Sequence, residues 1–162
     1  MLRLCVLLAL HAGLRKGEIL NLRRRHVDFE QDWLAILDAK TGDRIVPMNS
    51  VVKRALRLSI HAKGDPEDLI FGGVDWIKDT WPTICREAKI VDLHFHDLRA
   101  TYVTRILEAG YDSFTARDAA GHSDVRTTGI YARPSIERVR KAVDSLTDVA
   151  QIQVGRAIGT NG

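Results

Sequence analysis

The sequence predicts a mainly α fold carrying a small antiparallel β-sheet, an α+β domain with one hydrophobic core. Three observations predict it. Most of the chain places apolar residues at helical spacing between capping residues and glycine stops. A single stretch, residues 33 to 47, changes to a period of two around a Lys-Thr-Gly-Asp turn. With 162 residues, 45% hydrophobic and 28% charged, the chain can bury one sizeable core but is short for two ordinary domains.

Leu2 to Leu10 is apolar nearly all round and reads as a buried helix stopped at Gly13. The apolar run is too short to span a membrane. A second helix, from about Arg15 to Leu22, sets Arg15 and Glu18 three residues apart, where the carboxylate can hold the guanidinium in a fixed pose. Trp33, Ala35 and Leu37 alternate with Leu34, Ile36 and Asp38, and Arg44-Ile-Val-Pro-Met resumes after the turn. That is a hairpin with Lys40 near its tip, a position where a lysine is ordinarily solvated.

Asn49 or Ser50 caps a helix through Val52, Ala55 and Leu56, ended by Lys63-Gly-Asp-Pro. Asp75 to Ala88 is a further helix, in which Pro82 either breaks it or opens its second half. Trp76 and Trp81 read as core. Asp97 caps a helix running to Glu108 and stopping at Gly110, which puts His96 at its mouth and Arg99 in its first turn. A helix N-terminus attracts anions, and an arginine there adds a fork suited to phosphate. Asp112 or Ser113 caps a short helix that ends near Gly121 and delivers His122, and a last turn from Val125 presents Tyr131. Ser135 caps a final helix with Ile136, Val139, Val143 and Leu146 on one face, and residues 151–162 read as a flexible or partner-docking tail.

Charge and cysteine usage narrow the class. The formal charge of +3 favours a polyanionic partner only mildly, although Arg3, Arg15, Lys16 and Arg23 to Arg25 cluster early and suggest a basic face. Cys5 and Cys85, with no CxxC spacing and no secretory leader, read as buried thiols of a reducing cytoplasm. His94-x-His96 could share a metal, but no third or fourth ligand stands at a recognisable spacing. No metal or other cofactor is therefore expected.

Taken together, Gly13-Leu14-Arg15-Lys16-Gly17-Glu18, Lys40, His96-Asp97-Leu98-Arg99, Gly121-His122 and Thr127-Thr128-Gly129-Ile130-Tyr131 resemble the tyrosine recombinase or phage-integrase family. The match covers nearly the whole chain, in order. The resemblance implies the DNA breaking-rejoining catalytic-domain fold over residues 1–150, beginning inside its first helix, with the N-terminal core-binding domain of full-length relatives absent. It implies that Arg15, Arg99 and His122 cradle a phosphodiester, that His96 contacts the phosphate or assists deprotonation, that Lys40 protonates the leaving group, and that Tyr131 is the nucleophile. Glu18 would orient Arg15. The partner implied is double-stranded DNA, bound by a homo-oligomer that is tetrameric in synapsis. Residues after the nucleophile would dock on a neighbouring protomer or fold back in cis. One departure stands out: Asp118-Ala119-Ala120 precedes Gly121-His122 where an LLGH-like run is usual. The alternatives are a non-catalytic DNA-binding remnant and a type IB topoisomerase-like enzyme, with Tyr102 and Tyr111 the other possible nucleophiles.

Overall fold

A computed structural model of the chain describes residues 1–37, 42–60, 64–121 and 139–146. It contains the helices α1 (Leu2–Ala12), α2 (Lys16–Leu20), α3 (Ser50–Ser59), α4 (Ile77–Glu87), α5 (Asp97–Glu108) and α6 (Ser113–Ala120). A 3-10 turn spans Arg24–His26, and residues 139–146 are helical. The strands β1 (Val27–Asp28), β2 (Trp33–Ile36) and β3 (Arg44–Pro47) form one antiparallel sheet in that order, with Leu34 opposite both Val27 and Val46. The mainly α architecture with a small antiparallel sheet is as expected, except that the sheet has a third strand. At two residues β1 is too short to show a period, and it forms because β2 offers it a free edge.

Local signals placed most helix ends. Gly13 takes a left-handed conformation, φ 63°, and ends α1. Any side chain there would also collide with the Tyr102 ring, so the stop doubles as a close approach between α1 and α5. Asn49 caps α3 by accepting from the Val52 N–H at 3.0 Å, and Asp112 caps α6 by accepting from the Thr115 N–H at 2.8 Å. Two expectations change. Asp97 is the first residue of α5 rather than its cap, because its carboxylate turns back to accept from the His94 N–H at 2.7 Å, which leaves His96 at the cap position. Helix α4 continues through Pro82 without a break. Next to it the Trp81 indole donates to the Leu93 carbonyl and its ring meets Phe95 edge-on.

The buried residues form two clusters. The larger joins α1, α2, the sheet, α3 and Phe95 with Leu98 of α5. The smaller joins Tyr102 and Ile106 of α5, Ala116 and Ala119 of α6, and Val139, Ala142, Val143 and Leu146. Helix α1 packs against both α3 and α5 and so ties the two together. Cys5 and Cys85 are free and buried, as read from sequence. Among the described residues no helix is long and apolar enough to cross a membrane.

A polar joint fastens residues 139–146 to the scaffold in cis. The fully buried Asn49 amide nitrogen donates to the Val143 carbonyl and, at 3.3 Å, faces Nδ1 of buried His11. Since an amide nitrogen only donates, His11 Nδ1 must accept, and the imidazole is the neutral Nε2–H tautomer. Burial, aided by the nearby Arg105 charge, pulls His11 down from 6.5 to about 4. The unfolded chain therefore binds a proton at a pH where the fold does not. The stabilising contribution is complete above about pH 6.5 and is lost as pH falls toward 4, on the order of 3 kcal/mol in all. Urea midpoints should fall between pH 7 and pH 4, and His11→Gln should flatten that slope. An unchanged slope in the variant would remove His11 as its source.

Candidate active site

Arg15 stands at the N-cap position of α2, where the backbone is still extended. Its N–H donates to Glu18 Oε2 at 2.8 Å and its Nη1 to Glu18 Oε1 at 2.9 Å, so the carboxylate three residues on grips both the main chain and the guanidinium. Nη2 donates to the Gly121 carbonyl at 3.1 Å, joining this turn to the end of α6. The expected pairing of Arg15 with Glu18 is present.

A residue that the sequence reading passed over completes the arrangement. Arg44, opening β3, donates from Nη1 and Nη2 to the two oxygens of Glu18, each at 2.8 Å. Glu18 thus accepts four bonds with its side chain only 8% exposed. Burial alone would raise its pKa. The forked bonds and charge of Arg44, with the Arg15 N–H and guanidinium, outweigh burial and hold it at about 2. A signal for Arg44 was available: with a strand period of two it shares the inward face of buried Val46, and an arginine directed inward needs an acid.

Arg99 lies in the first turn of α5, and its side chain is buried, with 2% of the residue exposed. Nη1 donates to the Gly13 carbonyl. Nε and Nη2 are buried and have no hydrogen-bond partner among the described residues. Desolvation first, then the positive charge of Arg15, lowers its pKa to about 10, so it remains cationic at neutral pH. A buried guanidinium with two unsatisfied nitrogens is costly and calls for an anion.

Arg99, Arg15 and His96 line one cavity of about 320 Å³, walled also by Leu14, Lys16 and Phe95. His96 is exposed at its rim. The structure therefore brings together Arg15, Glu18, His96 and Arg99, which stand up to 84 residues apart in sequence. Lys40, His122 and Tyr131 lie outside the described residues. The chain enters those segments beside the site, since Gly121 precedes His122 and β3 follows Lys40 by four positions.

The other tyrosines are placed unambiguously. Tyr102 is fully buried, with its hydroxyl unpartnered among the described residues and its pKa raised by desolvation, while Tyr111 packs at the edge of the smaller core. The early basic residues do not form an unopposed cationic face. Arg23 and Arg25 pair with Glu67, Arg24 with Asp68, and Lys16 with Asp75. No group of acidic, cysteine or histidine side chains able to hold a metal occurs among the described residues.

Comparison with known proteins gives a consistent result. The family model described as "Phage integrase family" matches residues 1–138. The chain is 29% identical over 150 residues to the tyrosine recombinase XerA of Thermococcus kodakarensis, covering 86% of this chain and 53% of that protein. Among solved structures it resembles the integrase from mycobacterium phage Brujita, with a TM-score of 0.66 at 21% identity over 89% of this chain and 50% of the other. It also resembles the Tn1549 transposon integrase in complex with transposon right end DNA, with a TM-score of 0.61 at 21% identity over 89% of this chain and 58% of the other. The chain thus spans about half the length of the curated relatives it matches.

Proposed function

Because the chain belongs to the phage integrase family, we propose that it is the catalytic part of a tyrosine-type site-specific DNA recombinase, cleaving and rejoining DNA through a 3′-phosphotyrosine. The observation that carries this reading is the buried guanidinium of Arg99, with two of its three nitrogens unpartnered among the described residues, at the same cavity as Arg15 and His96. The likeness to tyrosine recombinases, and the DNA bound in one of the similar integrase structures, support it.

The chemistry asks for this arrangement. A phosphodiester gathers negative charge on its nonbridging oxygens as it is attacked, and preorganised donors in a dry site stabilise that charge without reorganising. Arg15 and Arg99 supply guanidiniums from two elements, and His122 would add an imidazole. The Tyr131 oxygen attacks phosphorus in line, forming a P–O bond to tyrosine as the bond to O5′ breaks. The phenolic proton passes to His96 or to solvent, and the departing O5′ takes a proton from Lys40. The phosphotyrosine keeps the energy of the broken diester, so a 5′-hydroxyl of another strand can reverse the step without ATP, and no metal is needed where guanidiniums neutralise the charge. DNA is the partner, with recombination requiring a homo-oligomer on DNA.

Incubation at low salt, which favours phosphate contacts, tests this with a pool of duplexes whose randomised arms flank one 5′-bridging phosphorothiolate. The thiolate leaves without an acid and cannot religate, so any cleavage accumulates as a denaturant-stable adduct. The expected result is an adduct from which a preferred arm sequence can be selected. Retention of DNA without any adduct would establish the non-catalytic remnant instead. Relaxation of supercoiled plasmid without strand exchange would favour the topoisomerase-like alternative.

A further inference from the structure

We propose that Arg44 is a positioning residue for the phosphate-binding guanidinium of Arg15, and that it acts through Glu18. The inference rests on the phosphoryl-transfer reading above and extends it to a residue outside the motifs that suggested that reading.

Geometry comes first. Glu18 belongs to a helix of five residues, and its grip on Arg15 is local, three positions along the same turn. A carboxylate held only from its own turn can rotate about its side-chain torsions and carry the arginine with it. Arg44 comes from a different element, 26 residues away in sequence, and takes both Glu18 oxygens in a planar fork. That fork fixes the carboxylate plane, and the carboxylate plane in turn fixes where Arg15 Nη1 can lie. With side-chain exposures of 14% for Arg44 and 8% for Glu18, solvent screens the pair weakly.

The charge balance distinguishes this cluster from an ordinary ion pair. One carboxylate serves two guanidiniums, so Arg15, Glu18 and Arg44 together carry one net positive charge, and desolvation, with the charges of Arg15 and Arg44 adding to it, lowers the pKa of Arg99 beside them. An isolated ion pair carries no net charge, whereas among the described residues this cluster keeps a positive one beside a cavity whose proposed occupant, a phosphodiester, is anionic.

Arg44 also has a second contact with the site. A side chain on Gly121 would collide with the Arg44 guanidinium, and the Gly121 carbonyl accepts from Arg15 Nη2. Arg44, Glu18, Arg15 and Gly121 thus close a ring that spans β3, α2 and the end of α6. The glycine is required there twice, by its φ of 67° and by the approach of Arg44.

The test uses the 162-residue chain and the duplex selected by the capture experiment, in two forms: one with the charged phosphorothiolate diester, the other with a methylphosphonate at the scissile position. A methylphosphonate has lost the nonbridging charge that Arg15 stabilises, so it reports whether a defect runs through that charge. Arg44→Ala is expected to slow adduct formation about 10- to 100-fold on the charged duplex. It should have little effect on the methylphosphonate, matching the pattern of Arg15→Ala, and the double variant should lose little beyond Arg15→Ala alone. Arg44→Lys, which keeps charge but not the fork, should recover part of the rate. Should Arg44→Ala lose its cooperative thermal transition, Arg44→Gln, which can still bond one Glu18 oxygen, carries the same comparison. Equal losses on both duplexes would reduce Arg44 to a structural support, and no loss on either would remove it from the mechanism. Failure of the unmodified chain to form any adduct would instead overturn the recombinase reading, and this inference with it.

Discussion

Tyr131→Phe is expected to abolish covalent capture while leaving DNA retention unchanged. Removing the hydroxyl deletes the proposed nucleophile and no charged group, so adduct formation should drop by roughly 10⁴-fold or more, whereas gel retardation at low salt should not shift. The chain has three tyrosines, and the structure argues against the other two as substitutes. Tyr102 is completely enclosed between α1 and the smaller core, its ring against Gly13, and desolvation raises its pKa, both contrary to what an attacking phenolate requires. Tyr111 packs on that same core. An adduct formed equally well by the phenylalanine variant would end the assignment of Tyr131, and peptide mapping of the adduct would then show whether Tyr111 replaces it.

Arg99→Met should separate function from stability. Adduct formation on the charged duplex is expected to fall about 100- to 1000-fold, the usual consequence of losing one preorganised donor to a transition-state oxyanion. The thermal midpoint, by contrast, should hold or rise. The wild-type fold buries a cation with Nε and Nη2 unpartnered among the described residues, a penalty of several kcal/mol for an ion in a protein interior. Its one described bond, to the Gly13 carbonyl, returns about 1–3 kcal/mol. Methionine fills similar space without the charge. A site that trades stability for a waiting anion gives this pattern. A midpoint that fell in step with the rate would mean that Arg99 serves mainly to join α5 to the end of α1.

Acid should act on the fold in two successive windows. His11 withdraws its contribution between about pH 6.5 and 4, as described above. Glu18, held at about 2 against a usual 4.5, retains its contribution above about pH 4.5 and loses it as pH falls toward 2. The polar joint that fastens residues 139–146 is therefore challenged before the Arg15–Glu18–Arg44 cluster.

Much of the fold could be read without coordinates because its signals are local. Gly13, Asn49, Asp112 and Gly121 sit at helix ends for reasons of backbone conformation and capping that act within a few residues. His96 and Arg99 meet at one cavity because three residues separate them across the first turn of a helix. Arg15 and Glu18 pair for the same reason.

What the tertiary structure alone decided are the relations between elements. No short-range pattern reports that the two-residue β1 has an edge to join, that Arg23 to Arg25 meet Glu67 and Asp68 from far along the chain, or that Arg44 reaches Glu18 from a strand 26 residues away. Nor does sequence alone reveal that Arg99 is buried with two nitrogens unmet among the described residues, since burial depends on what packs over a side chain. The sequence by itself determined that Arg15 would pair with Glu18, that His96 and Arg99 would share the mouth of one helix, and where those helices begin and end. Folding decided the electrostatics: which of those charges meet a partner from another element, and how deeply each is buried. Local conformation is set by neighbours along the chain, whereas the worth of a charge is set by its neighbours in space.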